Sequence, residues 1–266
     1  MKNTLFLATI MSAMMFFPIN AKAEESETSV CNNITLATMQ AHVPIPPSKV
    51  LSKHAVNGIC EVILDINGQY VPIYAGKNYV IAGEMFQGKK QLTQTRIDDL
   101  KAENFIRLRP DIEKCIALSY TPKKDIKQRI YMITDPVCPF CHQAESQLKE
   151  FSEKNAAEFK IIFASVHPPV GRQKAIEAVC RKLSLDDYIN GTWKDDNKTD
   201  QYQCKEGASL IDASEKITAA LGIDGVPVFF LENGQRIDGA DMLALESALA
   251  GLPVKTSDAK KVSDAK

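Results

Sequence analysis

Two cysteines, in Cys138-Pro139-Phe140-Cys141, lie between the apolar run Ile130-Tyr131-Met132-Ile133 and a helical pattern that opens at Pro139. Both thiols therefore sit where a strand hands over to a helix, with proline at the first helical position, whose N–H is an orphan in any case. A sulfur at a helix start faces unpaired backbone N–H groups and the positive end of the helix dipole. Both favour thiolate, the attacking species in disulfide exchange. The second sulfur, one turn on, is placed to close a disulfide on the first and release whatever the first has captured.

Two other uses of this spacing fit less well. Zinc needs two further ligands, usually a second C-x-x-C or a paired-histidine motif, and no other cysteine here is spaced that way. Cys141-His142 also completes C-x-x-C-H, the attachment motif of a c-type haem. The preceding strand, Pro139 and the distant Val226-Pro227 suit a redox domain and leave a haem domain unexplained. His142 then reads as a surface helix residue, and neither metal nor cofactor is implied.

Met1 to Ala23 carries Lys2, an apolar stretch from Leu5 to Phe17 and Ala21-Lys22-Ala23, which predicts a secretory signal peptide cut between Ala23 and Glu24. The apolar stretch is shorter than the ~20 residues a bilayer span needs. Removing residues 1–23 takes away two lysines and no acids, moving the formal charge from -1 to -3. So mild a balance argues against nucleic acid or an anionic membrane as partner. Seven cysteines, all beyond residue 23, read in an exported protein as disulfides or redox chemistry, and the odd count leaves at least one unpaired or paired between chains.

Residues 24–95 predict a small α+β domain. Residues 59–66 and 69–74 alternate as strands around Asn67-Gly68, a type I′ hairpin signal, and residues 78–86 predict a third strand. Pro72 argues that the N–H side of its strand lies on an edge. From Leu92 to Tyr120 the pattern is helical and charged, with Pro110 expected to end or bend it; a rigid spacer and a helix packed on one domain both fit. Residues 96–122 are taken as this linker and 123–252 as the catalytic domain. The latter reads strand (130–134), helix (139–154), strand (159–164), polar helical insert (171–221), hairpin around Asn233-Gly234, and helix (241–249). That is a thioredoxin-like order. Residues 253–266 repeat Ser-Asp-Ala-Lys and predict a disordered tail.

X-Pro bonds are the one place where cis peptides are cheap, and Val226-Pro227 at the start of a strand predicts the cis-proline loop that lies against a C-x-x-C in this fold. It would leave the Val226 backbone free to pair with an extended substrate beside Cys138. Asp135, at the strand end, is placed to take the proton from Cys141 as general base, although an Asp before Pro136 also suits a simple turn. Cys180 and Cys204 bracket a charged stretch without a C-x-x-C context, which predicts a structural staple over a second redox pair. Cys31 with Cys60 is one of the pairings open to Cys31, Cys60 and Cys115.

Taken together, Ile45-Pro46-Pro47-Ser48-Lys49, Tyr79-Val80-Ile81-Ala82-Gly83, Thr134-Asp135-Pro136-Val137-Cys138-Pro139-Phe140-Cys141-His142, Cys180, Cys204 and Gly225-Val226-Pro227 resemble the periplasmic disulfide isomerases of the DsbC/DsbG type over nearly the whole mature chain. The resemblance implies an α+β fold: an N-terminal cystatin-like dimerisation domain, a linker helix and a C-terminal thioredoxin-like domain with a helical insertion. It implies a V-shaped periplasmic homodimer paired near residues 77–88, acting on misfolded disulfide-containing exported proteins and kept reduced by a membrane electron donor of the DsbD type. Cys138 carries over as nucleophile, Cys141 as resolving thiol, Asp135 as proton acceptor, Pro227 as cis-proline and Cys180 with Cys204 as the structural bridge. Val226, Pro139 and Phe140 would contact substrate.

Two positions depart from that pattern. Pro139-Phe140 stands where the best-known isomerase of the type has Gly-Tyr, and Val226 where these isomerases commonly have threonine; both lean toward DsbA-like oxidases. A dithiol oxidase is therefore the alternative function, and a holdase-type chaperone the alternative of another class.

Overall fold

The structure is a computed structural model that describes residues 30–195 and 198–252. The expected cleavage site at Ala23 and Glu24 and the tail from residue 253 lie outside the described residues. Helix α1 (Leu36–Gln40), capped by Thr35, precedes strands β1 (Lys49–Val56), β2 (Ile59–Ile66), β3 (Gln69–Ala75) and β4 (Val80–Ala82), an antiparallel sheet in that order. Asn67 and Gly68 both have positive φ (54° and 84°), the backbone that the hairpin signal requires. Alternation along β2 sends Cys60, Val62 and Leu64 into a core with Ile34 and Met39, and a Cys31–Cys60 disulfide pins the N-terminal segment to that strand. β4 pairs only with Ile73–Ala75, so β3 is open on that side at Pro72.

Strand β1 is not among the expected strands, and a register shift between Val50 and Ser52 interrupts its pairing. One expectation for this half is corrected. The single strand expected over 78–86 is β4, a turn at Gly83 (φ 153°), and a tight hairpin of β5 (Phe86–Gln87) and β6 (Lys90–Gln91).

Helix α2 (Leu92–Ile112) ends two residues after Pro110, short of the expected Tyr120, and residues 118–120 instead form strand β7 of the second sheet. Its two ends are held by different domains. At the start, the Thr93 hydroxyl accepts from the Met85 N–H (2.6 Å) and contacts the Tyr74 hydroxyl, while Arg96 pairs with Glu61 at 3.4 Å. Further on, Phe105 and Ile112 are buried against Tyr131, Ile133 and Phe230, and the Asn104 amide donates to the Ala220 carbonyl at 2.9 Å. α2 links the domains, and its second half is packed on one of them. The Asn67-Gly68 turn also touches the catalytic domain: at Gly222 (φ 63°) a Cβ would meet the Gly68 carbonyl oxygen at 2.2 Å.

The second sheet runs β11-β10-β8-β9-β7, from β8 (Gln128–Thr134), β9 (Ala157–Phe163), β10 (Val228–Leu231) and β11 (Arg236–Asp238) with β7. Only β8 and β9 are parallel. Both faces are covered, which is why β8 reads as an unbroken apolar run. Ile130 and Met132 enter the larger core with Phe159 and Phe229, whereas Tyr131 and Ile133 face the core capped by α2. The helix expected from 139 to 154 is two, α3 (Pro139–Glu145) and α4 (Leu148–Asn155), broken at Ser146-Gln147. The insert holds α5 (Val170–Cys180), α6 (Leu185–Asn190) and α7 (Lys205–Ala220), and α8 (Met242–Leu249) closes the domain with Asp241 as its N-cap. Among the described residues no helix is long and apolar enough to cross a membrane.

Cys180 and Cys204 are bonded, joining the end of α5 to the N-cap of α7, and Cys115 is free and buried. Replacing both bonded cysteines by alanine is expected to lower stability by about 3 to 4 kcal/mol, the loop-closure value for a bridge of this span. Urea denaturation reads it as a lower midpoint. Exchange activity in the absence of denaturant should survive; its loss with an unmoved midpoint would mark a second redox pair instead.

Candidate active site

Strand β8 ends at Thr134, and Asp135-Pro136-Val137 turns the chain into α3. The Cys138 N–H donates to the Asp135 carbonyl at 3.0 Å, which closes the turn and sets Cys138 as N-cap with Pro139 behind it. The Cys138 sulfur makes no capping bond to the helix; its partner is the Val226 carbonyl at 3.7 Å. Val226-Pro227 is cis, so the loop before β10 lies against the nucleophile as the sequence predicts. Phe140 is 66% exposed beside it. A groove of about 350 Å³ runs past Val226 and Pro227, walled by Asp224 and Arg236 on one domain, Gly68 on the other and Lys101 of α2.

Cys141 is fully buried one turn below, a free thiol like Cys138, which is also buried. Burial pushes its thiol well above the ordinary range. The Asp135 backbone N–H points at its sulfur (3.4 Å).

Asp135 is fully buried, and its carboxylate is turned toward other donors. Oδ1 accepts from the Val137 N–H at 3.0 Å; Oδ2 accepts from the Val166 and His167 N–H groups at 2.9 and 3.0 Å and lies 3.1 Å from the His167 ring. A Cβ on Gly171 would come within 2.7 Å of that oxygen, so the residue must be small. The carboxylate thus ties the active-site turn to the 165–167 loop, while the main chain of Asp135 meets Cys141.

A second buried carboxylate, absent from the sequence reading, lies on the far side. Glu145 is 2% exposed, and its Oε1 accepts from the Thr134 hydroxyl at 2.6 Å and from the Tyr188 hydroxyl at 2.8 Å. Desolvation pushes its carboxyl above the usual range, and nearby Lys194 and His142 oppose that. Lys194, itself shifted down by burial, lies 2.7 Å from His142 Nε2, which also meets the Pro136 carbonyl at 2.7 Å. His142 is thus tied into the site. A cleft of about 360 Å³ lined by His142, Glu145, Thr192 and Lys194 opens from this cluster to solvent. The signal in the sequence was the i, i+4 spacing of Cys141 and Glu145, which puts both on one helix face. Among the described residues no group of three His, Cys, Asp or Glu side chains is placed to hold a metal ion.

The description "Thioredoxin-like domain" matches residues 117–243, the segment that carries this sheet, the cysteine pair and the cis-proline loop. Those residues are similar to the thioredoxin-like family. The chain is a thiol-disulfide oxidoreductase: the fold holds a nucleophile-positioned thiol, a buried partner thiol and a cis X-Pro loop against each other. Similar solved structures include Helicobacter pylori DsbG (16% identity, 69% of this chain and 93% of that one, TM-score 0.39). A linker-deleted Proteus mirabilis ScsC (13%, 60% and 88%, TM-score 0.47) and alpha-DsbA2 of Wolbachia pipientis (13%, 59% and 98%, TM-score 0.45) are also similar. All are loose resemblances. No curated protein matches the chain.

Proposed function

We propose that this oxidoreductase is an exported, periplasmic disulfide isomerase that works as a homodimer on misfolded disulfide-containing proteins. Cys138 attacks a wrong substrate disulfide, and the mixed disulfide either reshuffles within the substrate or is resolved by Cys141. Val226, Pro139 and Phe140 receive the substrate beside Cys138, Pro227 shapes the loop, and Asp135 serves the chemistry of Cys141 by fixing the turn that holds it. A membrane donor of the DsbD type returns the pair to the dithiol state.

The observation that carries this reading is a second domain, joined by α2, with an apolar edge left open. Tyr79, Ile81 and Phe86, on and beside β4, are 46%, 55% and 58% exposed. An uncovered apolar strand edge is a pairing surface. The residues Pro139-Phe140 and Val226 favour a second reading, a dithiol oxidase.

Alkylation of Cys138 and Cys141 with a mass tag in intact cells separates the two. The isomerase is expected mostly reduced, and the purified protein is expected to reactivate scrambled ribonuclease beyond a small-thiol control. A mostly oxidised pair supports the oxidase. If Cys138→Ala leaves both the cellular phenotype and suppression of aggregation intact, the protein is a holdase.

A further inference from the structure

We propose that Lys101 of α2 makes the groove beside Cys138 selective, by pairing with an acidic side chain of the substrate segment captured there. The proposal rests on Cys138 as the thiol that captures substrate. Val226, whose carbonyl meets the Cys138 sulfur at 3.7 Å, lines a groove of about 350 Å³, a size at the lower end of small-ligand sites. Lys101 lines the same groove. Its place is set by the next turn of the helix, where Phe105 is buried and stacks on Phe230 and the Asn104 amide donates to the Ala220 carbonyl at 2.9 Å. The backbone at Lys101 is thus fixed to the domain that carries Cys138.

Another wall belongs to the β2–β3 turn of the N-terminal domain. Gly68 packs on Gly222, and the Gln69 amide reaches the Asp224 carboxylate at 3.5 Å. Four charged side chains line the groove, and three of them are engaged. Arg236 holds Asp238 through Nε and Nη2 at 2.8 and 2.7 Å, and its Nη1 donates to the Leu221 and Gly222 carbonyls at 3.5 and 3.4 Å. Asp224, exposed, has the Gln69 amide. Lys101 is the fourth, half-buried and with neither hydrogen bond nor ion pair among the described residues. An ammonium offers three donors and no acceptor, and this one has already lost part of its hydration, so the group it favours is an anion. A carboxylate on a segment beside Cys138 supplies one. A lysine in the same place would be repelled, with only exposed, amide-bound Asp224 to offset that.

Lys101 is a specificity-determining residue in this scheme. It meets a side chain away from the reacting sulfurs, so it acts on which segments reach Cys138 and leaves the later fate of the mixed disulfide to Cys141. Because α2 and the N-terminal turn both line the groove, the selectivity belongs to the whole chain rather than to residues 117–243.

The test uses the reduced full-length mature chain and short single-cysteine peptides, identical but for Glu, Gln or Lys beside the cysteine, each carried as a mixed disulfide with an aryl thiol. Cys138 attacks the peptide sulfur and the aryl thiolate leaves with the electron pair, so its absorbance reads capture. Each rate is divided by that of the same peptide with a neutral small dithiol, and the readout is the ratio between peptides within one protein, in which a general loss of folding or reactivity cancels. The Glu peptide is expected to be captured about two- to fivefold faster than the Gln peptide, the range of a part-exposed ion pair, and the gap to narrow as salt is added. Lys101→Met should bring that ratio to about one, Lys101→Arg should keep it, and Lys101→Glu should invert the order of the Glu and Lys peptides, which a loss of folding would not. A wild-type ratio near one, or a ratio that Lys101→Met leaves in place, overturns the proposal. Faster capture of the Lys peptide by the wild-type chain also overturns it and assigns the groove to Asp224. Capture of every peptide at the uncatalysed rate would instead overturn Cys138 as nucleophile, and the proposal with it.

Discussion

Replacing Cys138 by alanine is expected to bring thiol exchange down to the uncatalysed background, whereas replacing Cys141 by alanine should leave a protein that captures substrate and does not let go. The order follows from where each sulfur lies. Cys138, 4% exposed, stands at the N-cap position of α3 against the carbonyl of Val226, which lines the groove, and two residues before exposed Phe140. Cys141 is fully buried, and burial holds it as the thiol, so a protein substrate neither reaches it nor finds a thiolate there. Only after Cys138 has brought a disulfide to the site does Cys141 have an electrophile within reach. Insulin reduction followed by turbidity reads the first variant, and non-reducing electrophoresis of cell extracts reads the second as a ladder of substrate adducts. Residual turnover in Cys138→Ala that Cys141→Ala removes would reverse the roles.

The second large effect falls far from the chemistry. Phe105→Ala is expected to cost about 3 to 5 kcal/mol, the range for removing a fully buried phenylalanine, and to lower Tm by roughly 10 °C. Phe105 is 0% exposed, stacks on Phe230 with centroids 4.5 Å apart and meets Tyr131 edge-on at 5.3 Å. Those partners lie on adjacent strands of the catalytic sheet, so the ring bolts α2 to the face of β8 and β10. The Arg109 guanidinium, donating to the Glu232 carbonyl at 3.2 Å, holds the same helix one turn further on. Thermal unfolding followed by circular dichroism checks the value. A loss below about 1 kcal/mol would mean that α2 is a free spacer after all, since a detached helix has no cavity to leave behind.

Much of the catalytic domain was legible because its signals are local. Ile130 to Ile133 in β8 and Ile161 to Phe163 in β9 are apolar runs, Asn233-Gly234 marks a tight turn, and Pro139 after Cys138 fixes a helix start. The elements that escaped depend on partners. β1 is interrupted by its register shift, and β4, β5 and β6 are too short to show a period. The break at Ser146-Gln147 has no proline or glycine to announce it.

The active site divides along the same line. The spacing of Cys138 and Cys141, the proline between them and Val226-Pro227 determined the chemistry from the sequence alone, because thiol exchange needs those residue types at those intervals. What each buried carboxylate contacts was a matter for the tertiary structure. Asp135, six residues before Cys141, gives its carboxylate to the 165–167 loop and His167. Glu145 is held by the Thr134 hydroxyl on β8 and the Tyr188 hydroxyl on α6, with Lys194 close by. Covalent spacing sets which groups can react. Burial and hydrogen-bond partners, gathered from segments distant in sequence, set where their protons go.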